Sequence, residues 1–338
     1  MMARNIGLPK PTPFYLTKSK LLSSLTFLDN NQASKDRVLK MEVAFRRRIE
    51  SHVGSLPTGE AQFRKFNTSP FVLLFYSLQH GYSHIHQIEK AILPAKVFSS
   101  METSAGRMVE MVVLPEYGWQ IVPSEMHSVN SALDGKKLEG DTLHLATLKS
   151  GPRCLNDEMS ENFADAIVNN FEEWALNDNV KNINFTYGVL YGTKKQSNKK
   201  DWHILRKIVD KLPQGTIIES PNERWFLQFK SRDIVVTVGI RIGIELWNHI
   251  AGEDVGFMEL AVALIRACIL PTEVEPEDYH FTITDLKKVI SLDGVPTSFN
   301  VAMLQRSQLQ WLFFFAFHFC DSLESGEWDF IFDAMNGS

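Results

Sequence analysis

Four pieces of the chain carry side chains of the kinds that hydrolyse phosphodiesters. The first is the stretch from Glu102 to Glu110 (ETSAGRMVE), helical in pattern with an acid at each end. The second is Asp134, followed by a glycine, and the third is Lys149, which closes the alternating run TLHLATLK. The fourth is the exit SGPR, ending at Arg153 and leading into the acidic start of a helix, NDEMSE. Carboxylates of this kind hold a hard cation such as Mg2+, which polarises a phosphoryl oxygen and acidifies a bound water. A lysine beside that water orients it and supplies positive charge as negative charge develops.

Such side chains act together only if the elements carrying them converge. Asp134-Gly135 is a strong turn signal, so residues 126–133 (MHSVNSAL) and 142–149 read as a hairpin joined by GKKLEGD. Asp134 then ends one strand and Lys149 the next, side by side. Asp141 competes with Asp134, but it starts the second strand. Helical spacing is expected at 34–52, 70–81, 84–91 and 99–114, the last passing into an apolar strand-like stretch. A long helix capped by Asn156 or Asp157 runs to about residue 176, followed by a strand over 182–192 and a helix over 201–212. Strands at 225–229 and 234–238 and helices at 256–270 and within 303–323 complete the pattern. This is an α/β order with a mixed central β-sheet flanked by helices, and with helical N- and C-terminal additions. Three regions are expected: a mostly helical, basic 1–94, a catalytic core over 95–270, and an acidic helical extension over 271–338 for core packing or dimerisation.

The stretch from about 98 to 252 resembles the PD-(D/E)xK nuclease superfamily, and type II restriction endonucleases in particular. The resemblance rests on FSSMETSAGRMVE, the SALDG turn, ATLKSGPRCLND, the strand TYGVLYGT and the late segment VGIRIGIELWNHIAG, in that order. It implies a restriction-endonuclease-like core that cuts double-stranded DNA with Mg2+. By the same resemblance Asp134 is the metal aspartate, Lys149 the catalytic lysine and Glu110 the helix acid, with Glu102 the weaker choice. Thr147 stands where the motif has its acid. Some restriction enzymes place Ser or Thr there and take the acid from the following helix, which implies Glu161 as metal ligand, with Glu158 as competitor. A cognate DNA methyltransferase is then expected as a separate protein. The rival readings are a catalytically impaired DNA-binding or regulatory protein on such a core, and a structure-specific repair nuclease.

Charge is unevenly spread. Residues 1–96 carry 14 Lys/Arg against 6 Asp/Glu, residues 97–270 carry 18 against 23, and residues 271–338 carry 3 against 11. A chain of net charge −5 can therefore still offer a basic face to a polyanion. Lys194, Lys195, Lys199 and Lys200 lie in one loop and Arg46 and Arg47 on the first long helix, as candidate phosphate contacts. Gln196, Asn198 and Arg153 are candidates for reading base edges. Cutting both strands of a palindrome favours a two-fold homodimer.

The three cysteines, Cys154, Cys268 and Cys320, are scattered and odd in number, which argues for a reducing compartment and against a thiolate metal cage. His80, His84 and His86 have no spaced carboxylate or cysteine beside them and make a poor metal set. The apolar run at 311–320 is about half a membrane span. Residues 1–10 lack the apolar core of a signal peptide. A cytoplasmic protein with no membrane partner is expected.

Overall fold

The strands at the centre of the molecule alternate between two buried faces. On the eighth strand Val236, Val238, Ile240 and Ile242 point to one helical layer, while Thr237, Gly239 and Arg241 point the other way. A computed structural model describes residues 6–16, 18–55, 70–123, 132–269 and 306–323. In chain order these form β1 (Tyr15–Leu16), α1 (Lys18–Asn30), α2 (Gln32–Ser55), α3 (Pro70–His80), α4 (Ile85–Glu116), β2 (Gln120–Ile121) and β3 (Gly135–Glu139). There follow β4 (Thr142–Lys149), α5 (Asp157–Asp178), β5 (Asn182–Val189), α6 (Lys200–Lys211), β6 (Ile217–Glu219), β7 (Phe226–Ser231) and β8 (Ile234–Ile242). The last are α7 (Ile244–Ala251), α8 (Gly256–Cys268), α9 (Arg306–Phe317) and β9 (Ser322–Leu323).

The main sheet has seven strands in the order β2-β3-β4-β5-β8-β7-β6. Its centre, β4-β5-β8, is parallel and both margins are antiparallel, so the fold is α/β with a mixed open sheet. Helices α5 and α6 bury Trp174, Phe171, Trp202 and Ile208 against one face. The opposite layer joins α1, α2, α4, α7, α8 and α9 in a second apolar cluster that includes Ala146 and Leu148 of β4. In that layer Glu259 of α8, fully buried, accepts two hydrogen bonds from Arg37 of α2, at 2.8 and 2.7 Å. It also accepts one from the hydroxyl of Tyr117, at 2.6 Å.

Three expectations from the sequence change here. The hairpin is shifted: Gly135 opens β3 instead of closing a turn, and the reversal falls at Gly140, which has φ +60°. Gly135 is a packing glycine, since a Cβ there would lie 3.0 Å from Leu114 Cδ1 and 3.5 Å from Trp119 Cε3. The strand expected over 126–133 lies mostly outside the described residues. Helix α4 runs through Pro94, so the boundary expected at that point falls inside one element. The apolar residues Val112, Val113 and Leu114 stay helical and are buried, and such a continuous run imitates a strand. In contrast to these changes, α9 and β9 take one of the two roles expected of the extension and pack into the core. Leu312, Ala316, Phe319 and Cys320 are buried in the helical cluster, and β9 pairs in parallel with β1.

Candidate active site

Asp134 sits at the threshold of β3, and its N–H donates to the carbonyl of Ala146 at 2.8 Å. Its Oδ2 accepts the N–H of Leu148 at 2.7 Å, so the carboxylate lies along β4 one residue before Lys149. The register follows from the antiparallel pairing of Gly135 with Ala146. Helix α4 passes close to the end of β4 at Gly106, where a Cβ would stand 3.5 Å from that of Ser150. One turn later it presents Arg107 and Glu110 to the same place. Arg107 Nη1 lies 3.1 Å from Glu110 Oε2 and 3.8 Å from Asp134 Oδ1.

Glu110 is 7% exposed, and its carboxyl is pushed up to about 7. Burial is the main cause and the neighbouring Asp134 carboxylate the next. Arg107 and Lys149 act in the opposite direction, which brings the Lys149 ammonium into the same electrostatic neighbourhood. Lys149 Nζ lies 5.3 Å from the centre of the Phe163 ring on α5. Of the four side chains singled out for catalysis, Glu110 of α4 and Asp134 just before β3 are thus brought together through Arg107, and Lys149 follows the residue whose N–H holds Asp134. Arg107 is the site member that the sequence reading missed. Its only signal was its place three residues before Glu110 on a helix.

The carboxylate pair fits a Mg2+ ion. Two acids, one buried and reluctant to ionise beside the other, offer hard oxygen ligands whose mutual repulsion Arg107 only partly offsets. Mg2+ is typically held by one or two carboxylates together with water and substrate phosphates. Beyond the pair, the structure brings no further acid among the described residues. Thr147 is buried and its hydroxyl donates to the carbonyl of Ala132. Glu161 is engaged with Lys207 at 3.0 Å and with Lys211, both on α6, which hold its carboxyl below the usual range. Glu102 and Glu158 are exposed. Among the described residues no three His, Cys, Asp or Glu side chains form a metal-binding group.

The basic loop after β5 is largely tied to itself. Lys199 Nζ donates to the carbonyls of Lys194, Lys195 and Ser197, and Lys200 pairs with Asp157 at 2.7 Å. Lys194 pairs with Glu245 at 2.5 Å. Gln196 accepts the N–H of Thr193 and donates to Cys320 O, while Asn198 donates to Leu155 O and accepts the N–H of Lys200. Arg153 is exposed and donates through Nε to Gln196 O at 3.2 Å. On α2, Arg46 bonds Glu42 and the carbonyl of Arg266, whereas Arg47 is exposed. Lys195 and Arg47 are therefore the freest cations of the set, and Gln196 and Asn198 are committed to holding the loop. No helix among the described residues is long and apolar enough to cross a membrane. No protein-family model matches this chain, and no curated protein matches its sequence.

Proposed function

We propose that this protein is a Mg2+-dependent endonuclease of the PD-(D/E)xK type, cutting double-stranded DNA at a short specific sequence as type II restriction enzymes do. The observation that supports this reading is the meeting of Glu110, Asp134 and Lys149 at the end of β4. Glu110 and Asp134 would hold the cation, which when bound polarises the phosphoryl group and acidifies a water. The Leu148 N–H fixes Asp134 Oδ2 and so orients the carboxylate before any ligand arrives. Lys149 supplies positive charge where negative charge grows on the phosphoryl oxygens. Arg107 offsets the repulsion between the two acids in the free protein, and its guanidinium suits a phosphate oxygen once both acids are engaged. Lys195, Arg47 and Arg153 would contact the DNA backbone. A two-fold homodimer would match a palindromic site, and a separate cognate methyltransferase would protect the host DNA.

Plasmid cleavage tests the reading directly. Lys149→Ala should lose about two to four orders of magnitude in cleavage rate, the usual contribution of one positioned catalytic group. Retained DNA binding in Ca2+ would show that the variant is folded. Full cleavage by Lys149→Ala would remove the assignment.

A second reading has its own support. With the Thr147 hydroxyl bonded to a carbonyl and Glu161 held by α6, the site has two acids among the described residues, which suits a DNA-binding protein that no longer cuts. Unmethylated phage DNA with Mg2+ separates the two readings. Discrete fragments support restriction, and intact DNA retarded in a gel supports binding alone.

A further inference from the structure

A cavity of about 800 Å3 opens at the C-terminal ends of β5 and β8, between α7 and the arm before β1. None of Glu110, Asp134 and Lys149 lines it. On its polar side are Arg241, His249, Asn248 and Lys194, and on its apolar side Phe14 and Phe319. Arg241 comes from the last turn of β8 on the face away from α5 and α6. Gly239, two residues earlier on that face, leaves it room, because a Cβ there would stand 2.5 Å from Arg241 Nη1.

The guanidinium is partly buried and has no carboxylate within ion-pair distance among the described residues. Its one hydrogen bond among the described residues runs from Nη1 to Thr186 Oγ1, at 2.9 Å. Thr186 is fully buried and lies 3.0 Å from His249 Nε2. The Thr186 hydroxyl, with one hydrogen and two lone pairs, bridges Arg241 and His249 with either tautomer of the imidazole. Burial, with Arg241 next, pushes His249 down to about 3, which keeps the ring neutral. Arg241 Nε and Nη2 are donors with no acceptor among the described residues. The acids around the cavity, Glu245, Glu253 and Asp254, are exposed, and Glu245 is taken by Lys194.

A partly buried cation without a carboxylate partner gives up part of its hydration uncompensated, and an anion entering the cavity restores the balance. The planar fork of a guanidinium matches two oxygens of one anionic group. We propose that this cavity is a binding site for a small organic anion, whose phosphate or carboxylate group is held by Arg241. Phe14 and Phe319 supply the apolar wall for the rest of such a ligand.

Arginine modification of the intact protein by phenylglyoxal, read by peptide mass spectrometry, tests this. Inorganic phosphate, acetate and sodium chloride at equal ionic strength are the three arms, and exposed Arg47 is the internal reference. Phosphate or acetate should slow modification of Arg241 roughly ten-fold at about ten times its dissociation constant, with Arg47 unchanged. The anion that protects better assigns the ligand class. Protection by neither anion beyond that of chloride overturns the proposal. Protection by a short DNA duplex alone also overturns it, and assigns the guanidinium to a nucleic-acid backbone. In calorimetric titrations of the protecting anion, Arg241→Gln should abolish saturable binding and Arg241→Lys should weaken it. Undiminished binding by folded Arg241→Gln would place the anion elsewhere.

Discussion

Glu110 carries the clearest physical consequence at the scale of a single side chain. With its carboxyl raised to about 7 by burial and by Asp134, the native state keeps a proton that the unfolded chain loses near 4.5. The stability that goes with that proton is complete below the unfolded value and is lost as pH rises through about 7. Glu110→Gln removes this loss. In buffer without divalent ions, urea unfolding should find variant and wild type alike at about pH 4. At about pH 8.5 the variant should be more stable by roughly 1–3 kcal/mol. Equal stability at both values would mean that the carboxyl titrates normally and that the acids are not crowded. The same variant should lose cleavage, so stability and activity would move in opposite directions, as expected of a site strained for a cation.

Between elements, the sequence was most readable where one residue type has one physical use. Asn156 was one of two candidate caps, and its Oδ1 accepts the N–H of Met159 at 2.8 Å to open α5. Apolar alternation placed β4, β5 and β8, and their order implied a mixed sheet. Glycine was read less well because it serves several ends. Gly135 looked like half of a turn and proved to be a place where α4 presses on β3. The shift moved Asp134 from the end of one strand to the beginning of another without moving it away from Lys149, since both lie at the same end of β4. Glu161 was drawn from the motif alone, and lysines of α6, distant in sequence, decide where its carboxylate goes. Crowding by glycine recurs at Gly188 of β5, where a Cβ would fall 2.6 Å from Leu246 Cδ1 and 2.7 Å from Leu148 Cδ2. Gly188→Ala should cost about 1–3 kcal/mol through overpacking between the sheet and α7. An unchanged urea midpoint would show slack in that layer.

For the molecule as a whole, residues 306–323 of the C-terminal region are bound into the layer that supports the site. Asp321 Oδ2 accepts the N–H of Phe14 at 2.7 Å, Oδ1 accepts the Thr193 hydroxyl at 2.6 Å, and the Asp321 N–H returns to Phe14 O. One carboxylate thus ties the N-terminal arm, the loop after β5 and the segment after α9. The same layer holds the buried Arg37–Glu259 pair. Arg37→Ala should cost about 3–5 kcal/mol, because it leaves a carboxylate buried without its partner. Composition could not reveal this linkage, since the 3 basic and 11 acidic residues after 270 read as an extension for either core packing or dimerisation, with nothing to say what it packs on. A chain ended at residue 270 separates the two possibilities. If the region were an appendage, the shortened protein would unfold as cooperatively as the full one. With Leu312, Ala316, Phe319 and Cys320 removed from the cluster, their partners on α8 lose cover instead. The shortened chain should then bind an apolar dye, lose its sharp thermal transition and aggregate. A sharp transition at the full-length temperature would show that α9 and β9 contribute nothing to the fold that holds Glu110 beside Asp134.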